Sequence, residues 1–113
     1  MTYTADGKVV LKDNNGQGTA LTNVAAGQVT ANSKDAINGS QLYTSNSKVA
    51  DALGGGSKVD ANGNVTAPNY SVGDVTVNNI GDAISNVDGR VTNNTTNISN
   101  LEQTLSDGAF SVS

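Results

Sequence analysis

The sequence predicts a mixed β and α chain whose hydrophobic core is shared between several copies. Three observations lead there. Leu, Ile, Val and Phe make up roughly a fifth of the 113 residues, near the limit below which a chain struggles to bury a core. The net charge is only −4, too small for a charge-swollen disordered tail. From Ile80 to Leu105, apolar residues recur in a 4-3 alternation that only Asn94 interrupts chemically. Such a stripe is the seam of a helix packed on other helices, and oligomerisation is a common remedy for a poor core.

Residues 1–23 are expected to form a β-rich end. An Asp6-Gly7 turn lies between Thr2-Tyr3-Thr4 and Lys8-Val9-Val10-Leu11, a good hairpin signal. Residues 13–18 have loop composition, and Thr19 to Val24 is expected to be a further strand. Residues 24–39 show no clean period. A helix is expected over 40–53, with Ser40 as its N-cap and Leu42, Val49, Ala52 and Leu53 on its apolar side. Gly54-Gly55-Gly56 ends it.

Residues 54–79 return to β structure. Asn62-Gly63 joins 57–60 to 64–66 as a second hairpin, and Tyr70, Val72, Val75 and Val77 carry strand-forming content past Pro68. A second helix is expected over 80–108. Its heptad register puts Ile84, Val91, Ile98 and Leu105 at a, and Ile80, Val87, Asn94 and Leu101 at d. A stripe of two positions in seven is narrower than most globular helices use. Ser, Thr and Asn at the outer positions make the helix intrinsically poor, so only a shared seam can hold it. Ile at a with Leu at d leans toward dimers, while Ile80 and Val87 at d lean away from them. The pattern leaves the number of copies open. Gly108 is expected to stop the helix, and residues 109–113 to begin a further β element.

The inventory for chemistry is thin. With no His and no Cys, there is no histidine base, no thiol nucleophile and no disulfide frame. The carboxylates are scattered and show no calcium-loop spacing. Gly54-Gly55-Gly56 lacks the Lys-Ser/Thr of a phosphate loop and lies at a helix end instead of a helix start. No catalytic residue and no metal ligand is assigned, and an enzyme is not expected. Six Lys and Arg scattered along an acidic chain argue against nucleic acid. No targeting segment or long apolar run occurs, so no membrane contact is expected from these residues.

One stretch carries a specific resemblance. "SKDAINGSQLY", residues 33–43, resembles the neck motif of trimeric autotransporter adhesins, the YadA-like surface fibres of Gram-negative bacteria. "LTNVAAGQVTANS", residues 21–33, resembles the run that precedes such a neck. "ALGGGSKVDANGNVTAPNYSV", residues 52–72, is similar to the β-layer that often follows it, the Trp-ring-like connector, although this chain has no Trp. "VTNNT", residues 91–95, resembles a stalk motif with a β-branched residue at a, Asn at d and Thr at e.

The resemblance implies a fibrous homotrimer. Interleaved β-layers would be joined by a neck to a parallel, left-handed trimeric coiled coil. The neck would span 24–43, with Asp35, Ala36, Ile37, Asn38, Gly39, Ser40, Gln41 and Leu42 as its signature. The second β-layer would be 54–79 and the stalk 80–108. Small residues at Ala25, Ala26, Gly27, Ala31 and Gly39 suit the close passage of three backbones, and Asn38 suits a cap and turn into the helix. Gly39 is expected to be the glycine the crossing needs.

At Asn94, three symmetry-related amides would point at one axis. A buried amide without partners costs about 1–3 kcal/mol, so a layer of three needs a ligand or water. An anion fits if the nitrogens turn inward, and the resemblance implies chloride or a similar halide, with Val91 and Thr95 supporting the layer. No other cofactor is expected.

The expected partners are two identical chains, and beyond them host extracellular matrix or other copies of the fibre. The implied function is structural and adhesive: attachment to host cells or matrix, autoaggregation and biofilm growth. The implied location is the bacterial surface outside the outer membrane, with the anchor elsewhere. The alternative is a segment of a trimeric phage tail fibre or spike.

Overall fold

The computed structural model describes residues 1–111. The chain divides into two compact units, Met1–Leu42 and one beginning at Tyr43.

The first unit opens with a short hairpin. Strands β1 (Thr2–Tyr3) and β2 (Val9–Val10) pair antiparallel, with Thr2 opposite Val10 and Tyr3 opposite Val9. Gly7 takes the left-handed φ of +85° that the turn demands. The Thr4 hydroxyl donates to Asp6 Oδ1, and this bond chiefly holds the Asp6 carboxyl below its ordinary pKa. The loop that follows places Asn14 and Asn15 at positive φ, the conformation Asn tolerates best after Gly. The strand expected over 19–24 is not formed. An extended segment becomes a strand only when another backbone takes up its ladder bonds, and none within the described residues does. Nothing in Met1–Leu42 is buried.

Helix α1 spans Gly39–Leu53. Its N-cap is Asn38 and not Ser40: Asn38 Oδ1 accepts from the Gln41 amide at 3.1 Å, and the Ser40 hydroxyl itself donates to Asn38 Oδ1 at 2.7 Å. The expected apolar side of α1 also needs correction. The residue it buries is Ala50, only 1% exposed, while Leu42, Val49 and Ala52 face outward.

In the second unit, α1 packs its Asn46–Ala50–Leu53 side on the β structure that follows. Asn46 Nδ2 donates to the Gly63 carbonyl at 2.9 Å, and the Tyr70 hydroxyl donates to the Leu53 carbonyl at 2.5 Å. The tyrosine thereby satisfies one of the carbonyls that a helix end leaves without a partner. The 57–66 hairpin forms around Asn62-Gly63 as the sequence predicts, with Val59 bridging Val65. Asp60 Oδ1 accepts from the amides of Asn62 and Asn64 and sets the turn. Gly55 is the tightest point of this unit. It has a φ of +58°, and a Cβ there would lie 2.8 Å from the Asn69 carbonyl oxygen. Pro68 beside it is buried.

Strands β3 (Tyr70–Val72) and β4 (Val75–Val77) form a third hairpin, with Val72 opposite Val75. Its two-residue loop is Gly73-Asp74, with Gly73 at φ +60°, the position a II′ turn reserves for glycine. Helix α2 then spans Ile80–Ser111. It runs through Gly108, so the expected stop and the β element over 109–111 do not occur; residues 112 and 113 lie outside the described residues. Glycine inside a helix costs only about 1 kcal/mol against alanine, and Gly108 is not at the positive φ of a helix-ending glycine.

Candidate functional site

Helix α2 begins on a built cap. Asn79 Oδ1 accepts from the Asp82 amide at 2.8 Å, while Asn79 Nδ2 donates to Asp82 Oδ2 at 2.9 Å. Asp82 also suits the positive end of the helix. The first turns meet β3 and its turn: the Arg90 side chain lies over Gly73, where a Cβ would sit 3.5 Å from Arg90 Nε. Arg90 Nε is held by Asn86 Oδ1 one turn back, at 2.8 Å. From Val87 to Asp107 every residue is exposed.

The seam is therefore bare within the chain. Ile80, Ile84, Val87, Val91, Ile98, Leu101 and Leu105 are between 43% and 65% exposed. The first turns of that side form an open apolar patch lined by Ala83, Ile84, Val87, Asp88 and Val91. Seven large aliphatic side chains in one stripe exceed the scattered apolar exposure of an ordinary surface.

Asn94 lies in that stripe and makes no side-chain hydrogen bond within the described residues. Its neighbour Thr95 donates its hydroxyl hydrogen to the Val91 carbonyl at 2.9 Å. Thr104 makes the same backward bond to Asn100 at 2.9 Å. The Thr95 oxygen keeps its lone pairs, so toward any further group it acts as an acceptor. Val91, Asn94 and Thr95 thus lie within two turns of one another, as their spacing requires.

The 24–41 segment is a second built feature, with the Gln41 side chain as its hub. Gln41 Nε2 donates to the Gly27 carbonyl at 2.7 Å, and Gln41 Oε1 accepts from the amides of Gly27 at 3.0 Å and Asn38 at 3.1 Å. Asn38 Nδ2 donates to the Val24 carbonyl at 2.8 Å. Asp35 Oδ2 accepts from the Gln28 amide at 2.9 Å. The glycine this packing needs is Gly27: a Cβ there would lie 2.2 Å from the Ala36 carbonyl oxygen and 2.9 Å from Asp35 Cβ. At Gly39 a Cβ would meet nothing within 4 Å of the same chain. Ile37 and Leu42 stay exposed. Gln41 as the hub was readable as a capping box, Asn-x-x-Gln. The singular role of Gly27 was not, because nothing local separates it from the other small residues near it.

Among the described residues no group of three or more acidic side chains gathers as a metal site. No helix there is long and apolar enough to cross a membrane.

Residues 21–65 match the family described as the coiled stalk of trimeric autotransporter adhesin. The chain is 54% identical over 68 residues to the autotransporter adhesin EhaG of Escherichia coli O157:H7, a match covering 60% of this chain and 4% of that protein. It is 46% identical over 84 residues to the trimeric autotransporter adhesin AtaA of Acinetobacter sp. strain Tol 5, covering 71% of this chain and 2% of that protein. The solved C-terminal stalk of AtaA, fused to GCN4 adaptors, superposes with a TM-score of 0.82 at 40% identity, over 94% of this chain and 31% of that one. The chain thus spans a small fraction of the length of the curated relatives it matches. With the motif at 33–43, the bare seam and these matches, the chain is a YadA-like stalk segment of the trimeric autotransporter adhesin family.

Proposed function

We propose that this chain is a spacer and connector of a bacterial surface fibre, assembled as a parallel trimer with two identical chains. The observation that carries the proposal is the seam of α2, whose seven aliphatic residues have no cover in a single chain. Burying them costs no rearrangement, because α2 already presents them in register. In the trimer, 24–43 is the neck, the β-hairpins of the three chains combine into layers, and 80–108 is stalk. The segment holds adhesive parts of the fibre away from the outer membrane, and host matrix contact, autoaggregation and biofilm growth belong to the fibre as a whole. The autotransporter adhesins named above support this reading over a phage tail fibre.

Asn94 completes the proposal as a polar layer that holds a halide on the axis. Thr95, its own hydrogen committed to Val91, is left to accept from an asparagine amide. The other amide hydrogen is then available for the anion.

The test is a light-scattering mass on the purified 113-residue chain, together with its helical circular dichroism. Three times the mass of one chain is expected, with melting that depends on concentration. A single-chain mass with retained helix would refute the reading.

A further inference from the structure

Three Asn-Gly pairs occur in the chain: Asn15-Gly16, Asn38-Gly39 and Asn62-Gly63. Such pairs share one chemistry, because glycine has no Cβ to shield its amide nitrogen. That nitrogen, once deprotonated, attacks Cγ of the preceding asparagine. A bond forms between the glycine nitrogen and Cγ, the Cγ–Nδ2 bond breaks, and ammonia leaves. Water then opens the cyclic imide at either carbonyl, giving aspartate or isoaspartate. No oxidant or enzyme is required.

The fold treats the three pairs differently. The Asn38 amide is pinned at both ends: Nδ2 donates to Val24, and Oδ1 accepts from Ser40 and Gln41. At Asn62 the nucleophile is held, since the Gly63 amide donates to the Asp60 carbonyl at 3.0 Å. The Gly63 carbonyl is held as well, by Asn46. At Asn15 neither group is held. Its side chain and the Gly16 amide make no hydrogen bond within the described residues, and both residues are exposed. The loop is closed around them by Gln17 donating to Asn14 and Gly18 donating to Asp13, bonds that involve neither the Asn15 side chain nor the Gly16 amide.

We propose that Asn15 is the site of spontaneous deamidation in this chain, and that Asn38 and Asn62 are protected by their hydrogen bonds. Conversion adds a carboxylate to the 13–18 loop. The isoaspartyl product also lengthens its backbone by one methylene. The inference is independent of the trimer.

The full chain is incubated at mildly alkaline pH, once folded and once in denaturant, and the three peptides are followed by mass spectrometry after digestion. In the folded chain Asn15 is expected to convert about tenfold or more faster than Asn38 or Asn62, the factor one or two lost hydrogen bonds would set. In denaturant the three rates should draw together. Both aspartate and isoaspartate should appear, and Asn15→Gly, which keeps the positive φ at that position, should remove the early product without moving the melting temperature. Equal rates in the folded chain, an unchanged ranking and spacing in denaturant, or aspartate alone as product would each overturn the proposal.

Discussion

Replacing Gly27 by alanine tests the packing of the 24–41 segment at its tightest point. The added methyl would sit 2.2 Å from the Ala36 carbonyl oxygen and 2.9 Å from Asp35 Cβ, well inside contact distance. Neither neighbour is the far end of a flexible side chain, so backbone must move. Overpacking of this kind costs about 1–3 kcal/mol. The movement also strains the two bonds between Gly27 and Gln41, at 2.7 and 3.0 Å, each worth about 0.5–1.5 kcal/mol net. The sum is about 2–6 kcal/mol per chain, a fall in melting temperature of about 10 °C or more for a domain of this size. Gln41→Ala, which removes these two bonds and the one from the Asn38 amide without the clash, should cost about 1.5–4.5 kcal/mol. Gly39→Ala is the control: it meets nothing in its own chain and should melt within a few degrees of the parent. The assay is thermal circular dichroism at fixed chain concentration. A Gly27→Ala chain that melts with the parent, or a larger loss at Gly39 than at Gly27, would refute the reasoning.

Three further outcomes are expected. Gly55→Ala should destabilise by about 1–3 kcal/mol, because a residue at φ +58° gains a Cβ 2.8 Å from the Asn69 carbonyl; a denaturant melt checks it. Asp6 should titrate below the ordinary aspartate range because Thr4 hydrogen-bonds its carboxylate. Its folded pKa is depressed, so its support of the β1–β2 hairpin is present above the unfolded value and lost as pH falls through the folded one. Thr4→Ala should move the midpoint upward in a carboxyl NMR titration. Asn94→Ile should raise the melting temperature of the proposed trimer, since it replaces a polar layer in the seam by an apolar one. A bromide-soaked crystal of the parent should show an anomalous peak on the axis near Asn94 that the mutant lacks; a mutant that melts lower would end the idea that Asn94 trades stability for register.

The sequence showed what depends on local chemistry. The Asp6-Gly7 and Asn62-Gly63 turns were legible because both demand residues that tolerate unusual φ. The α2 seam was legible because its period survives Asn94. Ala50 was not, since a small residue in the middle of α1 is buried only because that side of the helix meets a segment farther along the chain, as the Asn46 bond to Gly63 shows. The strand expected at 19–24 failed for a related reason: its composition suits a ladder, but a ladder needs a second backbone. Of the two residues expected to cap α1, Ser40 was named by type alone, while Asn38, named beside the neck motif, has the cap geometry, with Gln41 three residues on. Gly108 was read as a stop by its identity alone. A helix glycine ends a helix only where the chain turns into the left-handed region, and here it does not.

Helix α2 is not uniform in what holds it. Its first turns have the Asn79 cap, the β3 strand and the Arg90 side chain over Gly73. Beyond Val91 the described residues supply no such support, and the composition there is the poorest of the helix. Thr, Asn and Ser lose helical order readily because their side chains compete for the backbone; Thr95 and Thr104 show that competition in their bonds to Val91 and Asn100. In the proposed trimer, this half of α2 takes all of its stability from the seam. Asn94 falls at the start of that half. A polar layer costs most where stability is borrowed, and it also selects most strongly there, because only the register that aligns all three amides can satisfy them. A one-heptad slip would set Asn94 against Val87 or Leu101 and leave each amide without a partner. The intrinsic weakness of the helix and the polar residue in its seam therefore act together: the first keeps a lone chain from holding a misaligned helix, and the second makes misaligned assemblies the less stable ones.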